Sequence, residues 1–278
     1  MRERFVQVQG LELCLCTWGP EDGRPLFLLH GLMDQGASWA EIAEGLAGRG
    51  FHVIAPDARG HGRSGHVGPG GAYHFLDYVR DLDGLVRLVG GPVDLLGHSM
   101  GATVAALFAG ARPEQVARLV LIEGLGPPHE PDDMALGRLR KHLDQHGSPR
   151  PHAVFSSRDQ ALERLQRAWP SLSPERARGL AERVTQPVDG GWAWSWDARH
   201  RGRSASGFDR ERFLAIASGI RAPTALLVGD FSWYRGLGDL PERCACIEGI
   251  ERLSLGSGHN PHIEAPGELS EVLLRLLP

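Results

Sequence analysis

The chain is predicted to fold as an α/β domain: a mostly parallel central sheet flanked by helices, with one inserted, mainly helical cap. Three observations carry this expectation. Short apolar runs of the kind found in fully buried strands alternate with segments of helical period. The alternation stops at Gly124 and resumes at Ala222-Pro223-Thr224. Where it stops, Gly126-Pro127-Pro128-His129-Glu130-Pro131 has the composition of a hinge-like linker.

Two alternating segments come first, Arg4 to Gln9 and Leu11 to Thr17, joined at Gly10 as an antiparallel hairpin. Buried strands are expected at Leu26 to Leu29, His52 to Ala55, Val93 to Leu96 and Leu119 to Ile122. Between them, Ser38 to Arg49, Phe75 to Val89 and Met100 to Ala111 read as helices. Strands and helices at this spacing imply right-handed crossovers in a parallel sheet. From the linker to about Phe213 the chain is rich in Arg, His and Pro, with helical pieces and no convincing parallel strand. A strand at Ala225 to Val228, another at Glu251 to Leu255 and an amphipathic helix at Gly267 to Leu277 close the chain. The domain expectation is therefore a core in two parts, 1–126 and 214–278, interrupted by a cap at 127–213.

A length of 278 residues suits one large α/β domain with an insertion, and 42% hydrophobic and 23% charged residues are ordinary for a soluble globular protein. A net charge of −4 argues against nucleic acid, whose backbone needs a basic surface. The Arg-rich stretch Arg199 to Arg203 reads as cap surface. No apolar region follows the basic residues at the N-terminus, and no run reaches the roughly 18 apolar residues of a membrane span. A cytoplasmic protein is expected. The four cysteines form two Cys-x-Cys pairs, Cys14/Cys16 and Cys244/Cys246, in strand-like or near-strand segments where both thiols would share a face. Their spacing is not the Cys-x2-Cys of zinc sites, so thiols in a reducing compartment are the preferred reading. The 13 histidines are not read as metal ligands. Neither a metal nor a cofactor is expected.

Chemistry enters at Gly97-His98-Ser99-Met100-Gly101, a Gly-x-Ser-x-Gly pattern. It follows the apolar strand Val93-Asp94-Leu95-Leu96 and opens the helix Ala102-Thr103-Val104-Ala105-Ala106-Leu107, the setting such a nucleophile elbow requires. A serine on so tight a turn needs small neighbours two residues away on both sides, and Gly97 and Gly101 provide them. The turn lifts the Ser99 hydroxyl clear of the sheet and puts the Met100 N–H at a helix N-terminus, aimed at a developing oxyanion.

With these residues in view, the chain resembles an α/β-hydrolase of the esterase/lipase type, from the N-terminal hairpin to the last helix. His30-Gly31-Leu32 is similar to that family's oxyanion loop, which implies Leu32 N–H as the second oxyanion donor. Asp57-Ala58-Arg59-Gly60-His61-Gly62-Arg63-Ser64 is similar to the family's Asp-x-Arg-Gly-x-Gly-x-Ser signature. His30 and His61 are read as hydrogen-bonding elements of those turns. Haloalkane dehalogenases and epoxide hydrolases of this fold place Asp where Ser99 stands.

The loop Gly256-Ser257-Gly258-His259-Asn260-Pro261 is small enough to bring an imidazole over Ser99, and its Gly-x-His resembles the family's catalytic histidine. A serine alcohol needs a base tuned near neutral pH, so His259 is the expected base, preferred to His262. The acid stays open between two residues. The family's usual slot, three residues past Gly229, holds Ser232. Either Asp230 has moved into the role or Glu123, at the end of the preceding strand and on the rim of Ser99, supplies it. Glu123 is preferred, because some small esterases resembling this chain use an acid there.

Trp192, Trp194 and Trp196 alternate along a segment that, if extended, turns all three indoles to one face. With Trp169 and Phe155 they would form either an apolar substrate wall over Ser99 or the cap's own small core. The expected activity is hydrolysis of a small-molecule carboxylic ester through an acyl-enzyme. The same triad also serves thioester or C–C hydrolysis, acyl transfer or cofactor-free peroxidation, and a non-catalytic ligand-binding protein is the alternative of another class.

Overall fold

The computed structural model describes residues 1–68, 70–146, 151–170, 173–202 and 204–278. The chain runs through β1 (Arg2–Val8), β2 (Leu11–Trp18), β3 (Arg24–Leu29), α1 (Ala40–Ala47), β4 (Phe51–Pro56), α2 (Phe75–Val89), β5 (Val93–His98), α3 (Met100–Ala111) and β6 (Val116–Ile122). An insertion follows, with α4 (Ala135–His146), α5 (Arg158–Ala168), α6 (Pro174–Val184), β7 (Thr185–Val188) and β8 (Gly191–Trp194). The chain then continues through α7 (Arg210–Ala217), β9 (Thr224–Gly229), α8 (Leu240–Ala245), β10 (Glu251–Leu255), α9 (Pro261–Glu264) and α10 (Pro266–Leu276).

Eight strands form one sheet in the order β1-β2-β4-β3-β5-β6-β9-β10. β1 and β2 pair antiparallel, as does β2 with β4, and every later pairing is parallel. The central strands are apolar on both faces because helices cover both. Phe27, Leu95, Leu119 and Leu226 pack with Leu82 and Leu85 of α2 and Phe108 of α3. Their sequence neighbours Leu26, Leu28, Leu96, Val120 and Leu227 point the other way, against Ile42 of α1 and Leu269 and Leu273 of α10. Register aligns Leu29 with Gly97, Gly97 with Leu121, and Ile122 with Leu227. The residues that follow β5, β6 and β9 therefore emerge side by side on one rim.

The structure departs from expectation in local ways. β1 ends at Val8 because Gln9 (φ 50°) and Gly10 (φ 80°) make the turn. The expected helix Ser38 to Arg49 is a 3-10 turn, Gly36–Trp39, leading into the shorter α1. The insertion contains an antiparallel hairpin, β7 with β8, beside its helices. Cys244 and Cys246 lie in and just after α8, not on a strand, so a two-residue spacing does not bring them to one face. Of the Arg-rich stretch, Arg199 and Arg201 lie on a 3-10 turn, Arg199 pairing with Asp197 at 2.9 Å, and Arg203 lies outside the described residues. Among the described residues, no helix is long and apolar enough to cross a membrane.

Candidate active site

Ser99 sits at φ 52° and ψ −111°, between the last residue of β5 and the first of α3. A non-glycine residue is strained there, and the surroundings hold it in place. Its N–H donates to Ile122 O of the neighbouring strand at 2.8 Å, and its carbonyl accepts from Thr103 N at 3.2 Å. The flanking glycines are obligatory. A Cβ on Gly97 would lie 2.5 Å from Gly101 O, and one on Gly101 would lie 2.4 Å from Leu29 O.

His259, on the loop between β10 and α9, brings Nε2 to 3.1 Å from Ser99 Oγ. Its Nδ1 lies 2.9 Å from Glu123 Oε2. Glu123 follows β6 at φ 55° and is 1% exposed. Three donors converge on its carboxylate: Nδ1–H of His259, the Gly229 N–H at Oε1 and the Ser232 hydroxyl at Oε2. Ser232, in the slot where the resemblance leads one to expect an acid, thus donates to an acid from the next strand. Asp230 is not brought to the histidine. Its side chain is 42% exposed and pairs with Arg235 at 2.8 Å.

The segment after Glu123 is fixed by two side chains that carry no mark in the sequence. Tyr234 Oη accepts from Leu125 N and donates to Gly126 O at 3.1 Å. The fully buried Arg243 donates to Leu125 O at 2.9 Å and pairs with Asp239 at 2.8 Å. Neither has a motif to reveal it, since both act on backbone more than 100 residues away.

On the opposite side of Ser99, Gly31 approaches so closely that a Cβ there would lie 3.3 Å from the serine Cβ. This brings the loop carrying Leu32 close to Ser99, while the Met100 N–H opens α3 directly after it. His30 and His61 act as loop pins. His30 Nδ1–H donates to Gly31 O at 2.7 Å, and Nε2 accepts from Ala58 N at 2.9 Å. His61 Nδ1–H donates to Arg59 O at 3.0 Å, and Nε2 accepts from Met33 N at 3.1 Å. Burial, with His30 and His200 close by, holds the His61 imidazole well below its usual range, which keeps Nε2 an acceptor. Asp57 completes the splice by accepting from Gly36 N at 2.7 Å and Arg63 N at 2.8 Å.

His98 is buried beside Ser99 and donates from Nε2 to the His259 carbonyl at 2.7 Å, joining the turn after β5 to the histidine loop. Burial, helped by His262 and His259, holds its imidazole well below the usual range. His262, the other candidate for the base, has other partners. It stacks on Trp39 with centroids 4.5 Å apart and meets Asp34 Oδ2 at 3.2 Å.

Trp192, Trp194 and Trp196 do not share one partner. Arg158 lies over Trp192 at 3.8 Å, Trp194 meets Phe155 at 5.0 Å and packs with Leu165 and Val184, and Trp196 meets His152 at 4.2 Å. Among the described residues these ring contacts all fall within the insertion. The indole beside the site is Trp233, 56% exposed and 5.3 Å from the His259 ring; Phe231 next to it is 82% exposed. Position alone, one residue past the Ser232 slot, was the available signal for Trp233.

Residues 24–266 match the family described as the alpha/beta hydrolase fold. The chain is 30% identical to a serine hydrolase-like protein of Danio rerio, over 94% of this chain and 83% of that protein. It is 30% identical to a 3-hydroxybutyrate-oligomer hydrolase of Cupriavidus necator, over 74% of this chain and 68% of the other. Among solved structures, a thioesterase domain from the curacin biosynthetic pathway superposes with a TM-score of 0.89 at 37% identity, covering 99% of both chains.

Proposed function

The chain belongs to the alpha/beta hydrolase fold family, and within it we propose a serine hydrolase that cleaves a small-molecule carboxylic ester through an acyl-enzyme. One observation carries this reading: a single imidazole bridges Ser99 Oγ at 3.1 Å and the buried Glu123 carboxylate at 2.9 Å. Glu123 holds His259 in the tautomer with hydrogen on Nδ1, so Nε2 can accept the serine proton. Ser99 Oγ attacks the carbonyl carbon as its proton passes to His259. The oxyanion is stabilised by the Met100 and Leu32 N–H groups, each worth about 10²–10³ in rate for donors of this kind. The carbonyl re-forms, the ester C–O bond breaks, and the imidazolium protonates the departing alcohol. Water, deprotonated by His259, then releases the acid and restores Ser99.

Thioester hydrolysis by the same residues is the second reading. It is favoured by the full-length likeness to a thioesterase domain at 37% identity. The test is hydrolysis of p-nitrophenyl esters from acetate to decanoate beside matched acyl thioesters, with fluorophosphonate labelling of Ser99. Labelling with ester turnover supports the first reading, and labelling with turnover confined to thioesters supports the second. A folded protein that neither labels nor turns over refutes both and favours a ligand-binding role.

A further inference from the structure

Three side chains that the proposed chemistry leaves unused converge beside Ser99. Asp34 follows the Gly31–Leu32 loop, His98 precedes the nucleophile, and His262 lies three residues past His259. One donor atom from each falls within 4.8 Å of the other two. His262 Nε2 and Asp34 Oδ2 are already 3.2 Å apart. Neighbouring donors of a tetrahedral cation with bonds of about 2.0–2.1 Å stand about 3.3 Å apart.

Hydrogen bonding at the cluster is incomplete in a telling way. With Nε2–H of His98 committed to the His259 carbonyl, its Nδ1 carries a lone pair, and this buried atom has no hydrogen-bond partner. Buried polar atoms left unpaired call for an explanation, an absent ion or water among them. Gly31 keeps the space beside the His98 lone pair open, since a Cβ there would lie 2.8 Å from Nδ1. Metal-ligating histidines hold their second ring nitrogen on a carbonyl or carboxylate, as His98 does on His259. Asp34 is likewise oriented, its Oδ2 accepting from Ser38 Oγ at 2.9 Å.

We propose that Asp34, His98 and His262 form a binding site for one borderline transition cation, Zn²⁺ being the best match. Two imidazoles and one carboxylate suit Zn²⁺ and fall short of the oxygen ligands Ca²⁺ and Mg²⁺ demand. The cation ties together the oxyanion loop, the elbow and the histidine loop. Drawing the three donors inward moves residues adjacent to Ser99 and Leu32, so occupancy inhibits hydrolysis. That consequence rests on the serine-hydrolase reading; the binding does not.

The experiment titrates the chelator-stripped full chain with ZnCl₂ by calorimetry and with Co²⁺ by visible absorption. The expected result is one equivalent of Zn²⁺ and the ligand-field bands of tetrahedral Co²⁺. Asp34→Asn and His262→Gln should each weaken binding about a hundredfold or more, exceeding the 10–100-fold of an outer hydrogen-bond partner. The second histidine cluster, where His66 lies 3.7 Å from Asp197 and His61 stacks on His200, supplies the control: His66→Ala should leave the affinity unchanged. No binding by wild type, no tetrahedral Co²⁺ bands, undiminished binding in a folded Asp34 or His262 variant, or loss in His66→Ala overturns the site. Binding that leaves ester hydrolysis untouched overturns the inhibition. Because calorimetry needs no turnover, a chain inactive on every ester counts against the function alone.

Discussion

Replacing Glu123 by Gln keeps the shape of the side chain and removes its charge, and the hydrogen bonds around it determine the consequence. The carboxylate accepts from Gly229 N at Oε1 and from Ser232 Oγ and His259 Nδ1 at Oε2. A glutamine offers one acceptor and one NH₂. If its oxygen takes the Gly229 N–H, the NH₂ faces His259 and forces the tautomer with hydrogen on Nε2, which cannot take a proton from Ser99. If the amide flips, two donors meet at Gly229 in a site that is 1% exposed, at a cost of about 1–3 kcal/mol. Either way the base is lost for most of the population. The corresponding acid-to-amide change in serine proteases lowers kcat by about 10⁴, or about 5.5 kcal/mol at 1.36 kcal/mol per tenfold. The assay is kcat on a short p-nitrophenyl ester, or on the matched thioester if only that turns over, with thermal melting to show that the variant folds. Asp230→Asn is the matched control and should stay within about twofold, as expected of a surface change away from the chemistry. A folded Glu123→Gln retaining more than about a tenth of wild-type kcat, or an Asp230→Asn that loses activity, refutes the assignment.

Ser99→Ala should reduce turnover to background and abolish fluorophosphonate labelling while leaving the melting temperature near that of wild type. Asp81→Ala should destabilise the fold by about 3–5 kcal/mol in urea unfolding. It removes the close partner of Arg59, which is buried and bound by both oxygens of Asp81 at 2.6 Å, and leaves it only the more distant Asp77 carboxylate at 3.9 Å among the described ion pairs. Arg59→Met with Asp81→Leu should recover much of that loss. Stability should fall on acidification through His200, whose pKa burial pushes from 6.5 down to about 4, against the pull of Asp197. The unfolded chain takes a proton there near 6.5 and the folded chain only near 4, so the contribution is full above 6.5, drains between those values and is flat below them. His200→Gln should flatten the slope in that window, read from urea midpoints against pH; an unchanged slope would exclude His200 as its source.

The core was legible because burial on both faces leaves a continuous apolar run, as at Leu26 to Leu29 and Val93 to Leu96, with few alternatives. The elbow was legible because its glycines answer a steric demand: a Cβ at Gly97 or Gly101 collides with backbone. The insertion was legible only as an interruption. Its hairpin is short and its strand β7 contains Pro187, so neither period nor propensity marks it. The alternation of Trp192, Trp194 and Trp196 gave the face of an extended segment but not what stands opposite. Trp196 lies beyond the end of β8, so the three indoles do not stay on one regular strand. Trp233 stayed hidden because a lone aromatic on a loop has no period.

The acid was ambiguous in sequence for a reason the sheet makes plain. β6 and β9 are parallel neighbours with Ile122 opposite Leu227, and Glu123 N–H donates to Leu227 O at 3.0 Å. The ends of both strands therefore open toward the same imidazole, and a carboxylate from either can reach it. Sequence distance, more than 100 residues, hides that adjacency. Once Glu123 reaches His259, the β9 loop is free to serve it, and Gly229 and Ser232 do so by donating to its two oxygens. Backbone strain points the same way. Glu123 at φ 55° and Ser99 at φ 52° hold left-handed conformations at the ends of adjoining strands, which cost an L-residue about 1–2 kcal/mol. A rim carboxylate needed only for packing has no use for such a conformation. One that must turn back over the sheet to meet an imidazole does.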